Sequence, residues 1–125
     1  MRVFELHTDT MMDVSNKVGK GETDVLGKHH MPDYKAGEVG GQIFALWVPP
    51  TVEDGAEYFT ENLTGPQDIM MRMLARNFRE FRDYHTVELA YTGTDIERIY
   101  DEGKSPVLLG IEGFYGFNGE PGMID

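Results

Sequence analysis

A histidine and an aspartate, His7 and Asp9, stand two positions apart near the start of this 125-residue chain. The residues before them, Val3 to Leu6, predict a short buried strand, so both side chains follow its carboxyl end. Residues i and i+2 of an extended chain point to the same face, and we expect these two side chains to converge. An imidazole and a carboxylate at one point could bind zinc or a similar divalent ion. The same residues could instead cap the turn after an ordinary strand.

A third candidate ligand, Glu112, follows another apolar strand, which we predict over Ser105 to Ile111. If both strands belong to one parallel sheet, their carboxyl ends lie on the same side. Glu112 could then share a metal centre with His7 and Asp9. A carboxylate that caps a helix or lies in a loop is the alternative for Glu112.

The remaining histidines are expected to be dispensable for metal binding; they are His29, His30 and His85. Two adjacent residues such as His29 and His30 rarely ligate one ion together. The pair precedes Pro32, in a stretch that we predict as a loop.

The composition limits the kinds of partner. The chain has 22 acidic and 11 basic residues and a formal net charge of −11, which argues against nucleic acid and against an anionic membrane surface. It has no cysteine, so neither a disulfide nor a Cys-ligated metal site is possible. Apolar runs such as Ile43 to Pro50 are too short to span a membrane, and a strand beginning at Val3 leaves no room for a signal peptide. We expect a single domain over residues 1–125 and a cytoplasmic location.

Apolar strands alternate with helical segments along the chain. The clearest strand, Gln42 to Val48, is a near-continuous apolar run closed by two prolines, which fits a strand buried on both faces in a parallel sheet. A short strand is predicted over Val87 to Tyr91. This alternation predicts an α/β fold. Helical pieces are predicted over Met11–Val14, Asp33–Glu38 and Glu53–Glu61, and longer helices from Thr64 and from Thr94 to about Glu102. A loop is predicted over Lys17–Lys28, and the stretch Gly113–Asp125 shows little periodicity.

The helix that begins near Thr64 has the strongest sequence pattern. Thr64 with Gln67 is spaced as a capping box, and Thr94 with Glu97 is a second one before the next helix. An apolar stripe at spacings of three and four predicts the core-facing side, formed by Met70, Met73, Leu74, Phe78 and Phe81. The opposite, solvated side is predicted to carry Arg72, Arg76, Arg79 and Arg82.

Four collinear segments resemble the N-terminal part of the membrane (renal) dipeptidase family of zinc peptidases. The more specific ones are the Gly-Gly-Gln-aromatic strand and the Gly-Ile-Glu-Gly strand end. The segments are His7–Thr10, Gly37–Pro49, Glu102–Lys104 and Gly110–Gly113. The resemblance runs through nearly the whole chain.

This resemblance implies the N-terminal part of a (β/α)8 TIM-type barrel, incomplete in this chain, and a site for two zinc ions. His7 and Asp9 match the ligands of one ion, and Glu112 matches the catalytic carboxylate that bridges both. No other cofactor-binding residue is implied. The implied reaction is hydrolysis of a dipeptide by a metal-activated water, often with a D-residue at the C-terminal position.

The chain also departs from the family pattern. Many members continue Glu-Gly-Gly-His, whereas this chain has Glu112-Gly113-Phe114-Tyr115. The family's remaining ligands, two histidines, and an assisting His and Asp would fall beyond Asp125. We therefore expect a fragment that carries the first half of the metal site and is nearly inactive alone, unless a homo-oligomer or a second polypeptide completes the barrel. The alternatives are a metal-dependent amidohydrolase acting on other amide bonds and a truncated non-catalytic chain.

Overall fold

Four parallel strands form one sheet in the order β1-β2-β4-β3. The computed structural model describes residues 3–55, 59, 62–120 and 122. The strands are β1 (Val3–Thr8), β2 (Val39–Trp47), β3 (Val87–Leu89) and β4 (Ser105–Glu112). The helices are α1 (Thr10–Gly19), α2 (Met31–Ala36), α3 (Pro66–Tyr84) and α4 (Gly93–Asp101), with a π-helical turn at Leu26–His30 and a 3₁₀ turn at Tyr115–Phe117. The predicted α/β class with a parallel sheet is confirmed.

The β2 and β4 strands form the centre of the sheet and bring its two long carboxyl ends together. Their register runs from Gln42 opposite Val107 to Trp47 opposite Glu112. Gln42 is fully buried and donates a hydrogen bond through its side-chain amide to the Ser105 hydroxyl at 3.2 Å, which joins the two strands at their start. The three-residue β3 strand pairs only with the first part of β4 and does not reach that edge.

The core lies between the sheet and the α1 and α3 helices. Phe44 of β2 packs against Phe81 of α3, with ring centroids 6.1 Å apart. Much of the predicted α3 stripe is buried, including Met70 and Met73, but Phe78 is exposed. The neighbouring Asn77 is buried between α1 and α3 instead. Its side-chain amide donates to the backbone carbonyls of Met11 in α1 and Met73 in α3, each at 2.9 Å.

The prediction that all four arginines of α3 lie on a solvated face is wrong for Arg76. Its side chain is buried between α1 and α3, where the guanidinium donates to the Ser15 carbonyl at 3.0 Å. Burial lowers the pKa of Arg76, and the positive charge of Arg79 adds to this effect. Periodicity placed this arginine opposite the apolar stripe, but α1 covers that part of the helix.

Two-sided burial of the strands is found in β2 but not in β1 or in the end of β4. The predicted burial of β1 is wrong, since this edge strand is largely exposed and Leu6 keeps 72% of its surface. In β4, Val107 is fully buried whereas Leu109 and Ile111 are exposed, Ile111 by 54%. No element within residues 3–55 and 62–120 covers these side chains, and this explains why apolar runs did not predict burial here.

We expect the 125-residue chain, produced alone, to self-associate. The β1 strand has an unpaired edge in the described sheet, and exposed Leu109 and Ile111 add apolar surface nearby. Light scattering should show oligomers or aggregates, and Ile111→Lys should raise the monomeric fraction. A sharp monomeric peak with cooperative unfolding in the wild-type chain would show this expectation to be wrong.

Helix boundaries differ from the predicted ones. The α1 helix starts at Thr10 and runs to Gly19, and a π-helical turn begins at Leu26, so the predicted loop over Lys17–Lys28 is too long at both ends. The predicted helix over Glu53–Glu61 falls largely outside the described residues, and residues 52–55 form a turn. No described helix is both long enough and apolar enough to cross a membrane.

Capping residues also differ from the two predicted boxes. Before α4 the box is formed by Thr92 and Asp95, whose side chains each accept from the other's backbone N–H, so the predicted pair at Thr94 is displaced by two residues. Before α3 the Asp68 carboxylate accepts from both the backbone N–H and the hydroxyl of Thr64. An aspartate can make these short-range bonds as well as the longer glutamate or glutamine of the consensus pattern.

Candidate metal centre

The end of β1 is irregular where His7 lies. Glu5 pairs with Gln42 and Thr8 pairs with Phe44, so β1 has one residue more than β2 between these two points. Such a β-bulge bends the strand and redirects the side chains within it. His7 therefore does not follow the regular alternation from which its direction was predicted.

Asp9 lies beyond the strand, in the turn that leads into α1. Its backbone angles are φ −81° and ψ 19°, and it occupies the N-cap position of α1 without a side-chain capping hydrogen bond. An N-cap aspartate ordinarily accepts from the first backbone N–H groups of its helix. The alternative in which His7 and Asp9 cap a turn is not what the structure shows, because the Asp9 carboxylate is directed elsewhere.

The structure brings all three predicted ligands together. His7 Nε2 lies 3.7 Å from Asp9 Oδ1 and 3.3 Å from Glu112 Oε2. One ligand atom from each residue lies within 4.8 Å of the others, and no other such group of three occurs in the described part of the chain. The side chains of His7, Asp9 and Glu112 are 58%, 68% and 50% exposed, so the group opens to solvent.

The two distances from His7 Nε2 are close to those between atoms that share a divalent ion. Ligand atoms bound tetrahedrally to zinc at about 2.1 Å lie about 3.4 Å from one another. The two distances from His7 Nε2 bracket this value. One imidazole nitrogen and two carboxylates form a donor set that suits zinc. Glu112 also caps no helix, since the 3₁₀ turn after it has Phe114 at its N-cap position.

A group of three hydroxyls, two of them beside Asp9 in the chain, was not found by the sequence analysis. Thr8 Oγ1 and Thr10 Oγ1, on either side of Asp9, lie 2.7 Å apart. The Tyr34 hydroxyl lies 2.5 Å from Thr10 Oγ1 and 3.4 Å from Thr8 Oγ1. The two threonines beside Asp9 were a signal in the sequence, but the link to α2 depends on tertiary structure.

The other histidines lie outside this group. His29 Nε2 is 2.9 Å from Glu22 Oε2, and His85 is the C-terminal cap of α3 with φ +54°. His30 Nε2 is 2.8 Å from Asp13 Oδ2. Both His29 and His30 lie in the π-helical turn rather than in the predicted loop.

Asp13 joins His30 to α1. Burial alone would raise the pKa of the Asp13 carboxyl, but hydrogen bonds from Lys17 and His30 outweigh it and lower that pKa. The contact between Asp13 and His30 therefore attaches the π-helical turn to the first turns of α1, shortly after the candidate ligand Asp9.

Sequence comparison decides the family. The family model described as "Membrane dipeptidase (Peptidase family M19)" matches residues 1–125. The chain belongs to this family. No curated protein sequence matches the chain.

Solved structures of family members show the same fold. The chain is similar to the dipeptidase AC, a metallopeptidase of family M19, with a TM-score of 0.65 and 18% identity over 93% of this chain. It is also similar to a metallopeptidase from Rhodobacter sphaeroides, liganded with a phosphinate mimic of the dipeptide L-Ala-D-Ala, with a TM-score of 0.66, 18% identity and 93% coverage. The chain spans 38% and 39% of the lengths of these two proteins. It therefore corresponds to part of the family's barrel fold.

Proposed function

We propose that this chain contributes His7, Asp9 and Glu112 to the metal centre of a zinc-dependent dipeptidase. The observation that carries the proposal is the convergence of three ligand atoms within 4.8 Å at the carboxyl edge of the sheet. In barrels of parallel strands this edge is where active sites lie. Membership of the membrane dipeptidase family supports the assignment of the reaction class.

The role of each residue follows from its position. His7 presents Nε2 toward both carboxylates, where it could serve as the nitrogen ligand of a shared metal ion. Asp9 supplies a carboxylate that its own helix does not use. Glu112 points one oxygen toward His7, and its side chain is half exposed, so this carboxylate could also help to hold the second ion that the family resemblance implies. When bound, the metal would lower the pKa of a water molecule and polarise the substrate carbonyl.

We propose dipeptides as the substrates. The support is the family and the solved relative from Rhodobacter sphaeroides, which holds a phosphinate mimic of L-Ala-D-Ala. Hydrolysis of other amide bonds is the competing possibility, because one barrel can serve many chemistries.

We expect the 125-residue chain alone to hydrolyse dipeptides only weakly. The family resemblance implies a second ion held by two further histidines, which are not part of the group formed by His7, Asp9 and Glu112. Without them the rate at saturating zinc should fall at least about 10³-fold below a typical kcat of ~10 per second. Gly-D-Ala and Ala-Ala should be assayed beside cyclic amides and N-acyl amino acids, with Glu112→Gln as the blank.

The assay separates the possibilities. A weak, zinc-dependent rate on dipeptides that Glu112→Gln removes supports the proposed function. Faster hydrolysis of cyclic amides favours the amidohydrolase alternative, and no hydrolysis together with no zinc binding favours a non-catalytic chain. Robust dipeptide turnover that needs Glu112 would show that the chain completes its site in another way, such as by oligomerisation.

A further inference from the structure

Asp9 is held in place by its neighbours rather than by its own side chain. Its carboxylate makes no capping bond and is 68% exposed. Its backbone carbonyl accepts a hydrogen bond from the Met12 backbone N–H at 3.0 Å. A ligand on such a turn has a fixed direction only if the residues on both sides of it are fixed.

Both chain neighbours of Asp9, Thr8 and Thr10, contact the hydroxyl of Tyr34. Thr8 is the last residue of β1 and Thr10 is the first of α1, and their hydroxyls lie 2.7 Å apart across Asp9. Tyr34 of α2 places its hydroxyl 2.5 Å from that of Thr10 and 3.4 Å from that of Thr8. Thr10 is buried, so its hydroxyl is shielded from competing water.

The Tyr34 ring is itself held against α1. It stacks on His30, with ring centroids 6.2 Å apart and an angle of 28° between the planes. His30 in turn contacts Asp13, which lies three residues after Thr10 and therefore on the same side of α1. Two contacts from the Leu26–Ala36 region, Tyr34 with Thr10 and His30 with Asp13, therefore hold one side of the first turns of α1.

We propose that Tyr34 is a positioning residue for the metal centre, acting through the Thr8 and Thr10 hydroxyls to fix the direction of Asp9. This inference rests on the proposed function, because it needs a metal bound by His7, Asp9 and Glu112. Residues that orient metal ligands typically change metal affinity by about 10- to 100-fold when removed. Tyr34 is not one of the three candidate ligands, so its effect would be on the geometry of Asp9.

A purely structural role for Tyr34 makes a different prediction. If its hydroxyl only attached α2 to α1, its removal would lower the thermal midpoint and leave the zinc affinity of the folded protein unchanged. Zinc affinity and thermal midpoint must therefore be measured together on the same variants.

The test is Tyr34→Phe, which removes only the hydroxyl, compared with Tyr91→Phe as the matched control. Tyr91 is exposed and lies away from β1 and α1, at the start of the α4 segment. Zinc dissociation constants are measured by competition with a chromophoric chelator, and Co²⁺ spectra report the ligand geometry. We expect Tyr34→Phe to weaken zinc binding about 10-fold and to change the Co²⁺ spectrum, and Tyr91→Phe to do neither.

Thr10 variants supply a second test that does not depend on the folding of Tyr34→Phe. Thr10→Ser keeps the hydroxyl and should retain zinc affinity, whereas Thr10→Val should lose it as Tyr34→Phe does. If the two residues act through one hydrogen-bonded group, the Tyr34→Phe/Thr10→Val double variant should bind zinc no more weakly than the weaker single variant.

Each outcome has a separate meaning. If the wild-type chain binds no zinc that His7→Ala removes, the proposed function is wrong and this inference with it. If wild-type zinc binding depends on His7 but Tyr34→Phe binds as tightly as Tyr91→Phe, or Thr10→Val as tightly as Thr10→Ser, the positioning role alone is overturned.

Discussion

Replacing His7 with alanine should lower the zinc affinity of the candidate centre by a factor of tens or more. His7 Nε2 lies between the Asp9 and Glu112 carboxylates, at 3.7 and 3.3 Å, and supplies the only nitrogen of the group. Without it the ion would keep two carboxylates on exposed side chains, a set with less preference for zinc. Zinc content after dialysis and a competition titration measure the loss.

Matched histidine variants show whether that loss is specific. His29→Ala and His85→Ala remove imidazoles outside the group and should leave zinc binding unchanged; His30 should also be dispensable as a ligand. Glu112→Gln keeps the shape of the side chain and removes its charge, and it should reproduce much of the His7→Ala loss. Unchanged zinc stoichiometry in His7→Ala would count against the assignment of the centre.

Glu80→Ala should produce the largest loss of stability among single changes to polar residues. The buried Glu80 carboxylate of α3 accepts from the backbone N–H groups that begin the π-helical turn, those of Asp24 at 3.1 Å, Val25 at 2.8 Å and Leu26 at 3.4 Å. Val25 and Leu26 are fully buried, so water cannot replace the lost acceptor without exposing them. We expect the free energy of unfolding to fall by about 3 kcal/mol.

Two further glutamate variants define this effect. Glu97→Ala removes an exposed glutamate from α4 and should change the free energy of unfolding by less than about 0.5 kcal/mol. Glu80→Gln keeps one acceptor oxygen and should fall between the two alanine variants. Urea unfolding measures all three, and faster amide exchange at Val25 and Leu26 in Glu80→Ala would locate the change. Equal stability of Glu80→Ala and Glu97→Ala would contradict this role.

Local patterns predicted the order and type of the main elements. The apolar run from Gln42 to Val48 became β2, the periodic stretch after Thr64 became α3, and the strand before Glu112 became β4. These features depend on the spacing of side chains along one segment, which a sequence shows directly. The three candidate ligands were found from the same kind of pattern, since each lies at or just after the carboxyl end of a recognisable strand.

Features that depend on partners could not be predicted in this way. Arg76 is buried because α1 packs against α3 there. Glu80 is buried where its carboxylate accepts from backbone N–H groups at the start of the π-helical turn. Tyr34 joins Thr10 across 24 positions of sequence. The convergence of His7 and Asp9 was predicted correctly but for an incorrect reason, because a bulge and a turn direct the two side chains and strand alternation does not.

Because β1 has an extra residue between Glu5 and Thr8, the geometry of the candidate metal centre depends on the number of residues in this part of the strand. Between Glu5 and Thr8 the strand runs three steps while β2 runs two, from Gln42 to Phe44. Removing Leu6 would make the two strands advance equally between these points and would change the direction of His7, although all three candidate ligands would still be present. Relatives that share the histidine and aspartate but differ by one residue in this interval would keep the motif and lose the geometry.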